Sequence, residues 1–261
     1  MDIKNKKIAV NADETSKAQQ AKDCLVEKYN FITDMSRNDI ELLIVLGGDG
    51  FMLHTLHNQL RHPIPVYGMN CGTVGFLMNN YSDDCLLERL NAASSTTIKP
   101  LEMKAIDSHG KTHRAIAINE VSLLRQTSQA AHVKITVDQN VQLECMVCDG
   151  VLVATDAGST AYNFSVGGPI IPLGSKILAL TPISPFRPRR WKGALLPNKA
   201  KITFDILDAH KRPVSSVADF NEFRNIVSVT IWEKRSKRLT LMFDPEHGLE
   251  ERIIREQFVT Q

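Results

Sequence analysis

Long apolar runs are missing from this chain. No stretch of its 261 residues approaches the roughly 20 consecutive apolar residues that a membrane-spanning helix needs. An excess of one charge is missing too. The 31 Lys and Arg against 29 Asp and Glu leave a net +2, too little for a protein that binds nucleic acid with its surface as a whole. Cysteine is scarce and odd in number. Five scattered residues do not make a disulfide framework, and they point to reduced thiols inside a cell. The basic start, Met1-Asp2-Ile3-Lys4-Asn5-Lys6-Lys7, has no apolar segment behind it of the kind a secretory signal uses, so a cytoplasmic protein is expected. No internal repeat and no low-complexity tract is visible. The Gly-x-Gly-x-x-Gly of the usual dinucleotide fold is absent after the first apolar strand, where Asn11-Ala12-Asp13 stands instead. What remains is 43% apolar residues, enough for one large domain or two modest ones, each with its own core.

The most informative stretch is Leu42-Leu43-Ile44-Val45-Leu46-Gly47-Gly48-Asp49-Gly50. It opens as an unbroken apolar run, the pattern of a strand covered on both faces of a parallel sheet. It then breaks into glycines around one carboxylate. Glycines bare the backbone amides and let a polyphosphate approach, at the carboxyl end of a strand, where open α/β sheets bind ligands. Asp49 there is placed to take a proton from a hydroxyl attacking a phosphoryl group. The plainer reading is a strand-to-helix turn in which Asp49 caps the next helix.

The first third alternates. Ile8-Ala9-Val10 reads as a strand, followed by a helix from Thr15 with Ala18, Ala21 and Leu25 on one face. After the Leu42 strand comes a helix beyond Gly50 carrying Met52, Leu53, Leu56 and Leu60. Ile64 to Met69 is a third strand, with Pro65 at its beginning or at an edge. Ser82-Asp83-Asp84 reads as an N-cap for a helix through Leu86, Leu87 and Leu90. This order implies a parallel sheet with right-handed crossovers. Composition changes at Ser94-Ser95-Thr96-Thr97, which reads as a domain crossing. Beyond it, strict alternation takes over. Val133, Ile135 and Val137 turn at Asp138-Gln139-Asn140 and return as Val141, Leu143, Cys145 and Val147. Further strands are expected at 202–207, 213–217, 226–232 and 239–243, and a last amphipathic helix at 249–258. Cys145 and Cys148 have the spacing of half a zinc site, but no second pair accompanies them, and in a regular strand they face opposite ways.

Three stretches together resemble the NAD kinases, which convert NAD to NADP with ATP. The first is Gly47-Gly48-Asp49-Gly50 with Asn70-Cys71-Gly72-Thr73-Val74-Gly75-Phe76-Leu77. The second is Asn119-Glu120, after the apolar run 115–118. The third, and most specific, runs from Asp149-Gly150-Val151-Leu152-Val153-Ala154-Thr155 through Gly158-Ser159-Thr160-Ala161-Tyr162-Asn163-Phe164-Ser165 to Gly167-Gly168-Pro169-Ile170. The resemblance covers nearly the whole chain. It implies an α/β N-terminal domain with a parallel sheet, residues 1–98 completed by 240–261. It also implies an all-β, sandwich-like C-terminal domain, residues 99–239, with the tail returning to the first domain.

The resemblance also implies roles. Asp49 matches the general base that activates the 2′-hydroxyl of the adenosine ribose of NAD. Gly47, Gly48 and Gly50 would admit phosphates, and Gly50 would also touch NAD. Asn119 and Glu120 match the pair that holds the adenosine part, as acceptors for ribose hydroxyls and an exocyclic amine. Asp149 matches a residue on the nicotinamide-ribose side. Thr160, Ala161, Tyr162 and Ser165 match the adenine and ribose pocket, with Asn163 and Phe164 in the same run; the Tyr ring offers a flat wall to a base. Asp219 aligns with a strand end of the family, and a plain hairpin-turn Asp is the alternative. The chain departs from the pattern at Asp156-Ala157, where Pro-Thr is usual, so Ala157 lies at the pocket rim. His54 stands where Arg or Lys is common, as a weaker phosphate ligand or a surface residue. Arg187 opens a cation-rich segment through Lys192, suited to phosphates or RNA, or simply solvated. The implied activity is phosphoryl transfer from ATP, or inorganic polyphosphate, to NAD. Mg²⁺ would come with the nucleotide, there would be no membrane or nucleic-acid partner, and a homodimer or homotetramer is expected. The alternatives are a lipid or sphingosine kinase sharing Gly-Gly-Asp-Gly, and a non-catalytic NAD(P)-binding regulator.

Overall fold

A computed structural model describes residue 3 and residues 5–72, 75–189 and 191–245. The chain folds as two units, Met1–Ile98 with Arg238–Gln261, and Lys99–Lys237. In the first, β1 (Ile8–Ala12) leads into α1 (Ser16–Tyr29). Its N-cap Thr15 accepts from the Ala18 amide, and Ala18, Ala21 and Leu25 form its buried face. β2 (Leu42–Gly47) lies between β1 and β3 (Val66–Asn70), parallel to both. Leu42 to Leu46 are fully removed from solvent. At about 1.5–3 kcal/mol per large apolar side chain, that burial offsets the ~1–2 kcal/mol of backbone entropy each residue loses, and an all-apolar run gains it in full only where both faces of the strand are covered.

α2 (Asp49–Asn58) follows at once and turns Met52, Thr55 and Leu56 inward; it ends short of Leu60, which is not on its face. β4 (Asn79–Asn80) pairs with β3, and α3 (Leu86–Ala92) and β5 (Ser94–Ile98) complete this part of the unit. Two boundaries differ from the sequence reading. The N-cap of α3 is Cys85, in a left-handed conformation, because the Asp83 carboxylate is drawn instead to Lys28 of α1 at 2.9 Å. Ser94-Ser95-Thr96-Thr97 is no crossing. Hydroxyl and β-branched residues suit a strand with one wet face, and they form β5 at the sheet edge.

The second unit is antiparallel throughout. β6 (Leu101–Asp107), β7 (Thr112–Ala117), β8 (Glu120–Arg125), β9 (Ala131–Val137), β10 (Asn140–Cys148) and β11 (Gly150–Ala154) come first. β12 (Ile177–Ile183), β13 (Ala194–Pro197), β14 (Ile202–Leu207), β15 (Val214–Ala218), β16 (Asn221–Phe223) and β17 (Ile226–Glu233) follow. They form two six-stranded sheets, in the orders β10-β9-β14-β17-β6-β7 and β13-β12-β11-β8-β15-β16. Alternate residues such as Met103, Val133, Ile135 and Phe204 of one sheet pack against Val121, Leu123, Val151 and Val153 of the other, which is sandwich packing. The β9–β10 turn is the two residues Asp138 and Gln139, both with positive φ (47° and 72°), so Asn140 already belongs to β10. Cys145 is exposed and Cys148 buried.

The chain then returns as β18 (Leu239–Phe243), parallel to β3 and antiparallel to β5 in the first unit. The helix expected at 249–258 lies outside the described residues. Among those residues no helix is long and apolar enough to cross a membrane. The return is secured just past β18. Asp244 accepts from the Tyr67 hydroxyl (2.6 Å) and from Arg89 (2.7 Å), and its amide donates to Asn79. Burial, with the carboxylate beside it, pushes the Tyr67 hydroxyl far above its ordinary range. Arg89 is only partly buried and still donates to Ser82 O and Asn80 O, so Asp244→Ala, which also leaves the Tyr67 hydroxyl and the Arg89 charge without their acceptor, is expected to cost about 2–3 kcal/mol in urea unfolding. Tyr67→Phe, which deletes one hydrogen bond, is expected to cost about 1–2 kcal/mol.

Candidate active site

In the first unit the site grows from the end of β2. Gly48 occupies the N-cap position of α2 and Asp49 is the first residue inside the helix, not its cap. Its carboxylate accepts from the backbone amides of Phe76 (2.7 Å) and Leu77 (3.1 Å), so a separate loop aims it. Gly75 is needed there, because a Cβ would press on Met78 and come within 3.3 Å of Asp49 Oδ1. Gly48 and Gly50 face open space: a Cβ on either would meet nothing within 4 Å. Gly47 differs. It is buried, and a Cβ there would crowd Phe51 and Asp13. Bare amides at a helix N-terminus, beside a fixed carboxylate and with room in front, suit a phosphate group and a proton acceptor together. His54 is exposed, further along α2.

In the second unit the site sits where the chain crosses from β7 of one sheet to β8 of the other. A crossing takes backbone groups out of the ladders, and they need other partners. The Asp219 carboxylate, in the β15–β16 turn, accepts from the amides of Ile118 (2.6 Å), Asn119 (3.0 Å) and Glu120 (3.2 Å). The Thr155 hydroxyl donates to Ile118 O and its amide to Asn119 O. Gly158 lies so close that a Cβ would run into the Asn119 backbone. With the main chain held on both sides, the side chains of Asn119 and Glu120 are left with buried acceptors, Oδ1 and Oε2, that have no partner. Burial, and then the Asp219 carboxylate, pushes the Glu120 carboxyl up to about 8. Tyr162, on the one-turn helix α4 (Tyr162–Ser165), is half-buried; its hydroxyl is raised by burial, then by Glu120 and Asp149. Asp149 is ion-paired with Arg125.

The Thr160 to Ser165 run divides. Thr160, Ala161 and Tyr162 are half-buried, while Phe164 and Ser165 are exposed. Asn163 is fully buried and its side chain is spent on the fold: it donates to Ser159 O and Pro169 O and accepts from Thr181. It ties α4 to the 159–169 segment and to β12 rather than offering a free amide. The cap of the 3₁₀ turn Ala157–Thr160 is Asp156; its carboxylate accepts from the Ala157 and Gly174 amides. Burial raises the Asp156 carboxyl, with Glu233 adding to it, while those amides pull it down. Ala157, the first residue of this turn, is buried rather than at an exposed rim. Arg187 lies against β10 through Val147, and its guanidinium and that of Arg189 cover the exposed Phe186 ring at 5.7 and 5.0 Å.

The family model for the ATP-NAD kinase N-terminal domain matches residues 1–92, and that for the C-terminal domain matches residues 118–222. An NAD kinase of Caulobacter vibrioides is 53% identical over 252 residues, covering 97% of this chain and 96% of the relative. This chain belongs to the NAD kinase family. An NAD kinase of Xylella fastidiosa is 52% identical over the same shares of both chains. Yeast NADH kinase, solved with NADH, has the same fold (TM-score 0.82, 20% identity, 97% of this chain and 88% of that one). So has an NAD kinase from Archaeoglobus fulgidus, solved with ATP (TM-score 0.74, 23% identity, 95% and 96%). The supports of the NAD kinase motifs were less legible than the motifs. Thr155 and Gly158 lie inside a stretch that the sequence singles out, but their hold on 118–119 joins residues distant in sequence. Asp219 is marked in the sequence only by its alignment with the family; the structure adds that it is a turn residue with φ of 52°.

Proposed function

We propose that this protein transfers the γ-phosphoryl group of ATP to the 2′-hydroxyl of the adenosine ribose of NAD, giving NADP and ADP. The observation that carries the reading is the pair of buried, unpartnered acceptors, Asn119 Oδ1 and Glu120 Oε2. Buried acceptors without donors are costly, so they call for a ligand rich in hydroxyl and amine donors, as a nucleoside is and an acyl chain is not. Asn119 and Glu120 hold the adenosine part, Tyr162 gives the base a wall, and Asp149 with Thr160 and Ala161 supplies the remaining rim. The 2′-oxygen attacks the γ-phosphorus, the bond to the β,γ-bridging oxygen breaks, and ADP leaves with that electron pair. The hydroxyl proton passes to the Asp49 carboxylate and then to water. Mg²⁺ arrives on the ATP phosphates as part of that substrate and neutralises charge there. The free, scattered cysteines fit a cytoplasmic setting. A homo-oligomer is expected from the family.

The direct test is NADP formation from NAD, ATP and Mg²⁺. Its absence with ATP and with polyphosphate, despite NAD binding, would leave a nucleotide-binding regulator instead. A finer test uses Gly48→Ala. The residue has an ordinary extended φ of −115° and open space in front, so stability should stay within about 0.5 kcal/mol of wild type. If phosphate approaches there, the new methyl group should raise KM for ATP by about tenfold or more. Unchanged ATP kinetics would move the phosphate away from Gly48.

A further inference from the structure

Asp219 stands in the turn between β15 and β16 with φ of 52°, a left-handed conformation that Asp tolerates better than most residues. It gathers three consecutive amides onto one carboxylate, and its own amide donates back to Glu120 O at 3.2 Å. The same residue therefore grips the Ile118–Glu120 main chain from both its donor and its acceptor side. The two unpartnered acceptors project from that gripped segment. We propose that Asp219 is a positioning residue for the nucleotide site: it aims Asn119 and Glu120, and its charge beside Glu120 makes nucleotide binding depend on Glu120 ionisation. The inference rests on the NAD reading above.

The groups around Glu120 give the sign. Asp219 faces it from the β15–β16 turn and Tyr162 from α4, and Tyr162 in turn faces Asp149 with its partner Arg125. Burial first and Asp219 second keep the carboxyl protonated up to about 8. A carboxylate accepts from hydroxyl donors on both oxygens, whereas the protonated form turns one of them into a donor, so the ionised form holds the ligand more tightly. Below that pH the ligand has to displace a proton, so NAD affinity rises with pH to that point and levels off above it. Without the Asp219 charge, Glu120 ionises earlier and the rise ends at lower pH.

Calorimetric titration of the full chain with NAD, from about pH 6 to about pH 9, tests this on wild type, Asp219→Asn, Asp219→Glu and Glu120→Gln. Asp219→Asn should weaken binding about ten- to a hundredfold and move the pH midpoint down. Asp219→Glu, which keeps the charge but shifts the grip, should weaken binding and leave the midpoint close to wild type. Glu120→Gln should abolish the pH dependence. A purely structural role would lower the fraction of binding-competent protein without moving the midpoint, and that result would overturn the proposal. So would wild-type affinity in Asp219→Asn. Absence of NAD binding to wild type at every pH would sink the nucleotide reading itself.

Discussion

Asp49→Asn is expected to lower kcat by about 10²–10⁴, the usual contribution of a positioned general base, with KM for NAD within about threefold of wild type. The amide has the shape of the carboxylate and keeps one oxygen to accept from Phe76 or Leu77, so the loop that aims it loses about one hydrogen bond, roughly 1–2 kcal/mol. What disappears is the site that takes the proton. Steady-state kinetics with NAD and ATP in excess, beside NAD binding measured on the same preparation, separates the two effects. A loss below about tenfold in kcat would remove Asp49 from the proton-accepting role and leave it as a holder of the 75–77 loop.

Gly158→Ala is expected to damage the other half of the machinery without touching the base. The added methyl meets the carbonyl and Cα of Asn119, which are main-chain atoms of a segment already gripped by Asp219 and Thr155. A flexible side chain yields to such a contact; a tied backbone does so only by breaking those bonds. The expected cost is about 2–4 kcal/mol, or a fall in Tm of roughly 5–15 °C. The displaced Asn119 and Glu120 should raise KM for NAD by about tenfold or more, with kcat at saturating NAD little changed. Thermal melting and initial rates check both arms. A variant with wild-type Tm and KM would mean that the 118–120 segment is free to move, against the arrangement described. Gly48→Ala is the contrast, with activity changed and stability kept, because the space beside it is open rather than filled.

Strand β2 was legible in the sequence, since a short apolar run closed by glycines suits a strand covered on both faces, and so was the α1 face with its Thr15 cap, since both are local matters of spacing and one hydroxyl. The β9–β10 hairpin was legible too, as was the family, through Gly-Gly-Asp-Gly, Asn-Glu and the 149–170 stretch. Boundaries failed where a distant partner outbid a local signal: Asp83 left the start of α3 for Lys28, and the polar 94–97 stretch became β5 because β18 returned from far along the chain to pair with it. What aims each functional group became visible in the folded chain alone. Phe76 and Leu77 hold Asp49, while Asp219, Thr155 and Gly158 hold Asn119 and Glu120, across separations that no periodicity reports. The same holds for Asn163, which serves the fold, and for Glu120, which burial and Asp219 keep protonated up to about 8. Hydrogen-bond saturation and desolvation depend on everything packed around an atom, and that packing exists only once the sheets have closed.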